Sequence, residues 1–208
     1  MIDLVISSVI LIIIMSYVVA NIRSAGSNDF KLMLNQLAGD FSQAQARGVA
    51  GQLLEVCYLD GVPSGLCQQQ TGCSDCRKTY PAGGFGLKIS KCAGSPCQYE
   101  IFADINGNHQ VDNNETIKDL TLGKSYISNL YSTDQAARPA IFSGWSPVVV
   151  NAVSVIFDSD GSRVYFDGIK QNSLTYLGLR LVNEKFPGDG YVYFSAATGF
   201  SVSGVIGE

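Results

Sequence analysis

MIDLVISSVILIIIMSYVVA, residues 1–20, is an almost unbroken apolar run that holds one carboxylate, Asp3, with no basic residue ahead of it. A run of this length suits a helix spanning a bilayer. A cleaved secretory signal differs, with a basic leading region and a shorter apolar core. An ionised carboxylate at membrane depth costs roughly 2.5–3.5 kcal/mol, so Asp3 reads as a functional residue. The segment offers it no cation before Arg23. Its partner is therefore expected on another molecule.

Helical character continues past this run. Apolar or small residues recur at Phe30, Leu34, Leu37, Phe41, Ala44 and Gly48, with Asn35, Gln36, Asp40, Gln43 and Gln45 on the other side. That spacing gives one buried stripe on a helix of 3.6 residues per turn. No proline occurs before Pro63, so the helix is expected to run to about residue 56. Residues 1–55 are thus expected to form one helix, with 1–23 as its membrane or filament-core half and 24–55 packed on the chain's own domain. Residues 56–208 are expected to form the globular head.

The head reads as β-rich. The chain of 208 residues has 22 glycines, 10 tyrosines and 10 phenylalanines, and its later part alternates Val/Ile/Tyr/Phe runs with turn residues such as Asp160-Gly161 and Asp167-Gly168. Strands are expected over 85–91, 98–103, 116–120, 124–131, 148–158, 163–167, 174–182, 191–197 and 200–206. The fold class that follows is α+β, a long hydrophobic-then-amphipathic helix laid on an antiparallel head. Only 15% of residues are charged and the net charge is −4, a balance that speaks against a broad nucleic-acid surface.

All six cysteines lie between Cys57 and Cys97 (Cys57, Cys67, Cys73, Cys76, Cys92 and Cys97), in a Gly/Pro-rich stretch read as a loop. Cys73 and Cys76 with Cys92 and Cys97 are one reading, a zinc-ribbon set of four thiolates. Three disulfides are the other, favoured if the head lies on the oxidising side of a membrane. Spacing leaves the connectivity open.

Further along, Asp104, Asn106, Asn108, Gln110, Asp112 and Glu115 occupy positions 1, 3, 5, 7, 9 and 12 of a calcium-loop template. His109 takes the sixth place, where glycine is usual; histidine enters the left-handed region more readily than most residues. The competing reading is a solvated turn held by Asn and Asp side chains. Asn114-Glu115-Thr116 is a glycosylation sequon. His109 is the only histidine, and no nucleophile pattern accompanies it, so no enzyme is expected.

Together these parts resemble the type IV pilin-like proteins. Ile2-Asp3-Leu4 and the apolar run after it are similar to that family's acidic entry into its helix, and residues 35–44 resemble its second half-helix. Phe102-Ala103-Asp104-Ile105-Asn106-Gly107-Asn108 is similar to a motif of the H-type minor pseudopilins, and residues 155–161 and 193–199 resemble their late strands. The resemblance implies the pilin fold and a structural subunit of a type IV pilus or pseudopilus filament, polymerising through its N-terminal helix. Its alternative is a minor or tip subunit that binds DNA for uptake or a type II secretion substrate. It further implies that Asp3 neutralises the N-terminal amine of a neighbouring copy. Identical subunits, the inner-membrane assembly machinery and a prepilin peptidase would be the partners, and the precursor would sit in the inner membrane before entering an extracellular or periplasmic filament. The family acid is usually glutamate and lies slightly deeper in the mature chain than Asp3. The tail after Gly199 has no basic residue, which speaks against the DNA-uptake relatives.

Overall fold

The computed structural model describes residues 2–92, 94, 96–134, 142–185 and 188–206; in the first helix, side chains are described at Met15 and from residue 27 on. That helix, α1 (Ile2–Val49), precedes the strands β1 (Leu54–Leu59), β2 (Val62–Leu66), β3 (Cys76–Thr79), β4 (Gly84–Ser90), β5 (Gln98–Asp104), β6 (Thr116–Thr121) and β7 (Ser125–Thr133). There follow β8 (Ser146–Val148), β9 (Ala152–Asp158), β10 (Gly161–Phe166), β11 (Ile169–Gln171), β12 (Tyr176–Asn183), β13 (Asp189–Ser195) and β14 (Ser201–Val205). They form three sheets, ordered β2-β1-β3, β11-β10-β9-β4-β5-β6 and β14-β13-β12-β7-β8. Every pairing is antiparallel.

The helical stripe is seated in the main core. Phe30, Leu34, Leu37, Phe41 and Ala44 are buried with Leu87 and Ile89 of β4, Val155 and Phe157 of β9, and Val192 and Phe194 of β13. The segment therefore bridges two sheets, touching β4 and β9 of one and β13 and β14 of the other. Phe41 stacks on Phe194 at 5.5 Å, and Phe157 meets Phe194 edge-on at 5.4 Å. Near the helix end a β-carbon on Gly48 would collide with the backbone carbonyl of Phe157, so only glycine permits this approach. The helix stops at Val49, not near residue 56, because Gly51 adopts a φ of 65° and Gln52 N–H closes back on Arg47 O at 3.1 Å. A left-handed glycine ends helices in this way.

The expected fold class is overturned. Among residues with described side chains, 49% are in strands and 14% in helix, and the stretch of α1 whose side chains are described without a break is the short piece 27–49. The molecule is mostly antiparallel β-sheet and is not the α+β pilin fold. Among the described residues, the two larger sheets supply most of the buried apolar side chains of the main core, leaving the helix one stripe of it. The expected inner-membrane precursor is overturned too, since among the residues with described side chains no helix is long and apolar enough to cross a membrane. The side chains of residues 1–14 and 16–26, Asp3 included, lie outside the described residues.

The later strands fall within a few residues of their expected places, except that the expected 148–158 strand divides into β8 and β9 and that β11 has no expected counterpart. The stretch read as a cysteine loop holds β2, β3 and the second half of β1, while β4 matches the strand expected over 85–91. β3, Cys-Arg-Lys-Thr, is mostly exposed at a sheet edge and carries no apolar alternation to betray it.

Candidate functional site

The acidic turn joins β5 to β6. Its first member, Asp104, is fully buried; Gly107 N–H donates to its Oδ1 (2.8 Å) and His109 N–H to its Oδ2 (2.9 Å). The carboxylate fits only because Gly83 lies against it, where a β-carbon would collide with the acid. Gly83 N–H also donates to Asp104 O at 2.8 Å. Nothing in the spacing of the acidic residues points to Gly83; the Gly83-Gly84 pair opening a strand was the available signal.

The remaining members follow the same scheme. Asn108 N–H donates to Asn106 Oδ1 (2.9 Å), and Gln110 N–H to Asn108 Oδ1 (2.7 Å). Both asparagine amides donate to Asp112 Oδ2, at 2.7 and 3.0 Å. Glu115, 1% exposed, accepts from Ile105 N–H at Oε1 (2.9 Å) and from Asp112 N–H at Oε2 (3.2 Å). Burial pushes the Glu115 carboxyl above the usual range, the nearby Asp104 charge adds to this, and the backbone donors oppose it. His109 has a φ of 60°, the left-handed conformation the sixth place requires. Its ring stacks on Tyr165 at 5.2 Å, and its Nδ1 lies 3.0 Å from Asp104 Oδ2.

All six candidate calcium ligands are thus gathered in one turn. Their carboxylates do not converge: among the described residues, the group of three or more metal-capable side chains within 4.8 Å of one another is Cys67, Cys73 and Cys76. Asp104 and Glu115 spend both their oxygens, and Asp112 its Oδ2, on N–H donors of the turn itself, which is the arrangement of a self-satisfied Asn/Asp turn. Asn114, the sequon residue, is half-buried; its amide donates to Gln70 Oε1 (2.8 Å) and its carbonyl accepts from Leu66 N–H (2.7 Å).

The cysteines form three disulfides, Cys57–Cys73, Cys67–Cys76 and Cys92–Cys97. The zinc-ribbon set does not assemble, because Cys92 and Cys97 pair with each other after β4. The first two bridges share one corner of the small sheet, where Cys57 on β1 is the register partner of Cys76 on β3. A shallow cleft of about 390 Å³ beside the third bridge is lined by Lys88, Gln98, Tyr99, Glu100 and Asp119 among others. There Lys88 Nζ and Glu100 Oε1 neutralise each other at 3.1 Å.

Comparison with protein-family models, characterised proteins and solved structures finds no match. Nothing in these comparisons identifies a pilin-like family.

Proposed function

We propose that the chain is a structural subunit of a pilus- or pseudopilus-like filament, and that it works by assembling with copies of itself through its apolar N-terminal segment. Met15 carries the reading. It lies in the middle of the apolar run and is 59% exposed, whereas the described stripe that α1 gives to its own sheets begins at Phe30. The mostly apolar run of residues 1–20, if left in water, would cost a great deal at about 25 cal/mol per Å². Bundling equivalent segments from neighbouring copies removes that surface and places the β-rich heads outside. The three disulfides suit a head exposed to an oxidising compartment.

The test is electron microscopy and sedimentation of the purified chain beside a chain lacking residues 1–23. The full chain should form fibres of uniform width and the shortened one should remain a folded monomer. Fibres of the same width from the shortened chain, or a full chain that stays monomeric at every concentration, would end the proposal. Asp3→Ala should lower fibre yield, because an acid between apolar segments requires the cation of a neighbour.

A further inference from the structure

The small sheet carries a second chemistry, independent of filament assembly. We propose that Cys57, Cys67, Cys73 and Cys76 form a tetrathiolate zinc site when the chain is reduced, so that this corner has a disulfide form and a zinc form. The sulfurs of Cys67 and Cys73 lie 3.9 Å apart, and those of Cys73 and Cys76 lie 3.7 Å apart, each pair spanning two different bridges. In a tetrahedral zinc site with Zn–S near 2.3 Å, neighbouring sulfurs are about 3.8 Å apart. Two edges of the tetrahedron therefore already have the required length.

The frame does not depend on the sulfur bonds. Cys57 and Cys76 face each other across the β1–β3 ladder. Cys67 N–H donates to Glu55 O at 2.9 Å, and Tyr58 N–H donates to Asp75 O at 2.9 Å. Cys73-Ser74-Asp75-Cys76 is a Cys-x-x-Cys pair leading into β3, the tight pair such sites use; Cys67 supplies the third corner, and Cys57, which lies outside the 4.8 Å cluster of the other three, supplies the fourth by turning its side chain inward once its bond to Cys73 is reduced. Cys92 and Cys97 take no part.

The conversion balances with a phosphine as reductant. Two disulfides, two phosphines and two waters give four thiols and two phosphine oxides, each S–S bond taking up two electrons and two protons. One Zn²⁺ then binds four thiolates and releases four protons, which makes uptake pH-dependent.

The experiment reduces the full chain with a trialkylphosphine under argon, removes the phosphine, titrates with Co²⁺ and displaces the cobalt with Zn²⁺. The expected result is one Co²⁺ per chain, with intense tetrahedral d–d bands and thiolate-to-cobalt charge transfer, both bleached by one Zn²⁺. The doubly substituted Cys92→Ser/Cys97→Ser chain should bind identically. Cys76→Ser or Cys67→Ser should lose more than the roughly 10–100-fold that removal of an outer-sphere partner costs. Weak octahedral spectra, binding that disappears in the Cys92→Ser/Cys97→Ser chain, or a reduced chain that loses strand circular dichroism and takes up no metal would each overturn the proposal.

Discussion

Tyr99 donates its phenolic hydrogen to Asp40 Oδ2 at 2.5 Å, tying β5 to the one helix that crosses two sheets. Tyr99 is 3% exposed, so the ring is core and only its oxygen reaches the half-buried acid. Tyr99→Phe keeps the ring and removes the donor. Hydrogen bonds to charged groups are worth roughly 1.5–3 kcal/mol, and the partial exposure of Asp40 places this one at the lower end. Equilibrium urea unfolding should show a loss of about 1.5 kcal/mol with an unchanged slope; a loss below about 0.5 kcal/mol would mean the pair holds nothing.

The same pair makes stability fall in alkali. Burial first, and then the hydrogen bond to Asp40, raise the Tyr99 phenol well above its ordinary value. A group whose folded pKa is raised favours the protonated form in the native state, so its contribution is complete below the unfolded value near 10. Above that pH the unfolded chain loses the proton and the folded chain keeps it, so stability declines as pH rises. Unfolding midpoints measured from about pH 9 to 11.5 should drop more steeply for the parent chain than for Tyr99→Phe. Parallel curves would assign the alkaline loss to other groups.

Gly48→Ala tests the closest approach of the helix to the six-stranded sheet. Alanine favours a helix interior over glycine by about 1 kcal/mol, so propensity alone predicts stabilisation. The β-carbon would, however, collide with the carbonyl of Phe157, and backbone yields less readily than a side chain. Overpacking of this kind costs roughly 1–3 kcal/mol. Thermal unfolding should show a net loss of about 1–2 kcal/mol; a gain would mean that the helix end lifts from β9 at no cost.

Much of the packing was legible. The stripe from Phe30 to Ala44 could be read because burial on one side of a helix imposes a 3.6-residue period, and β9, β10, β12, β13 and β14 could be read from Val/Ile/Tyr/Phe runs cut by Asp-Gly turns. The balance between helix and sheet was not legible. An apolar run at the chain start invites a fold built around a helix, whereas the described architecture is decided by long-range pairings such as β4 with β9 and β7 with β12, which leave no local signature. β1 and β3 were hidden for a related reason. Cys57 and Cys76 become neighbours across a ladder closed over nineteen residues, and a glycine- and cysteine-rich stretch does not announce a strand. In the acidic turn, residue spacing was enough to place all six members together and to foresee the conformation of His109. Where each oxygen points was not foreseeable, because that depends on Gly83 and on backbone N–H groups that every sequence possesses.

Asp104 is the residue on which the acidic turn hangs. Its carboxylate is inaccessible to water and takes the N–H groups of Gly107 and His109. Asp104→Ala would leave both donors without their acceptor in a space too tight to admit a replacement side chain beside Gly83. Each orphaned donor costs roughly 1–3 kcal/mol, so the variant should lose about 3 kcal/mol. Asp104→Asn keeps one carbonyl oxygen and should lose about half as much. Hydrogen exchange locates the effect: the amides of Gly107 and His109 should lose protection in Asp104→Ala, while those of β12 and β13 change only by the global loss. Uniform loss across all sheets with the turn no worse than the rest would show that Asp104 supports the core as a whole, and that the turn is ordered by Glu115 and its three N–H donors instead.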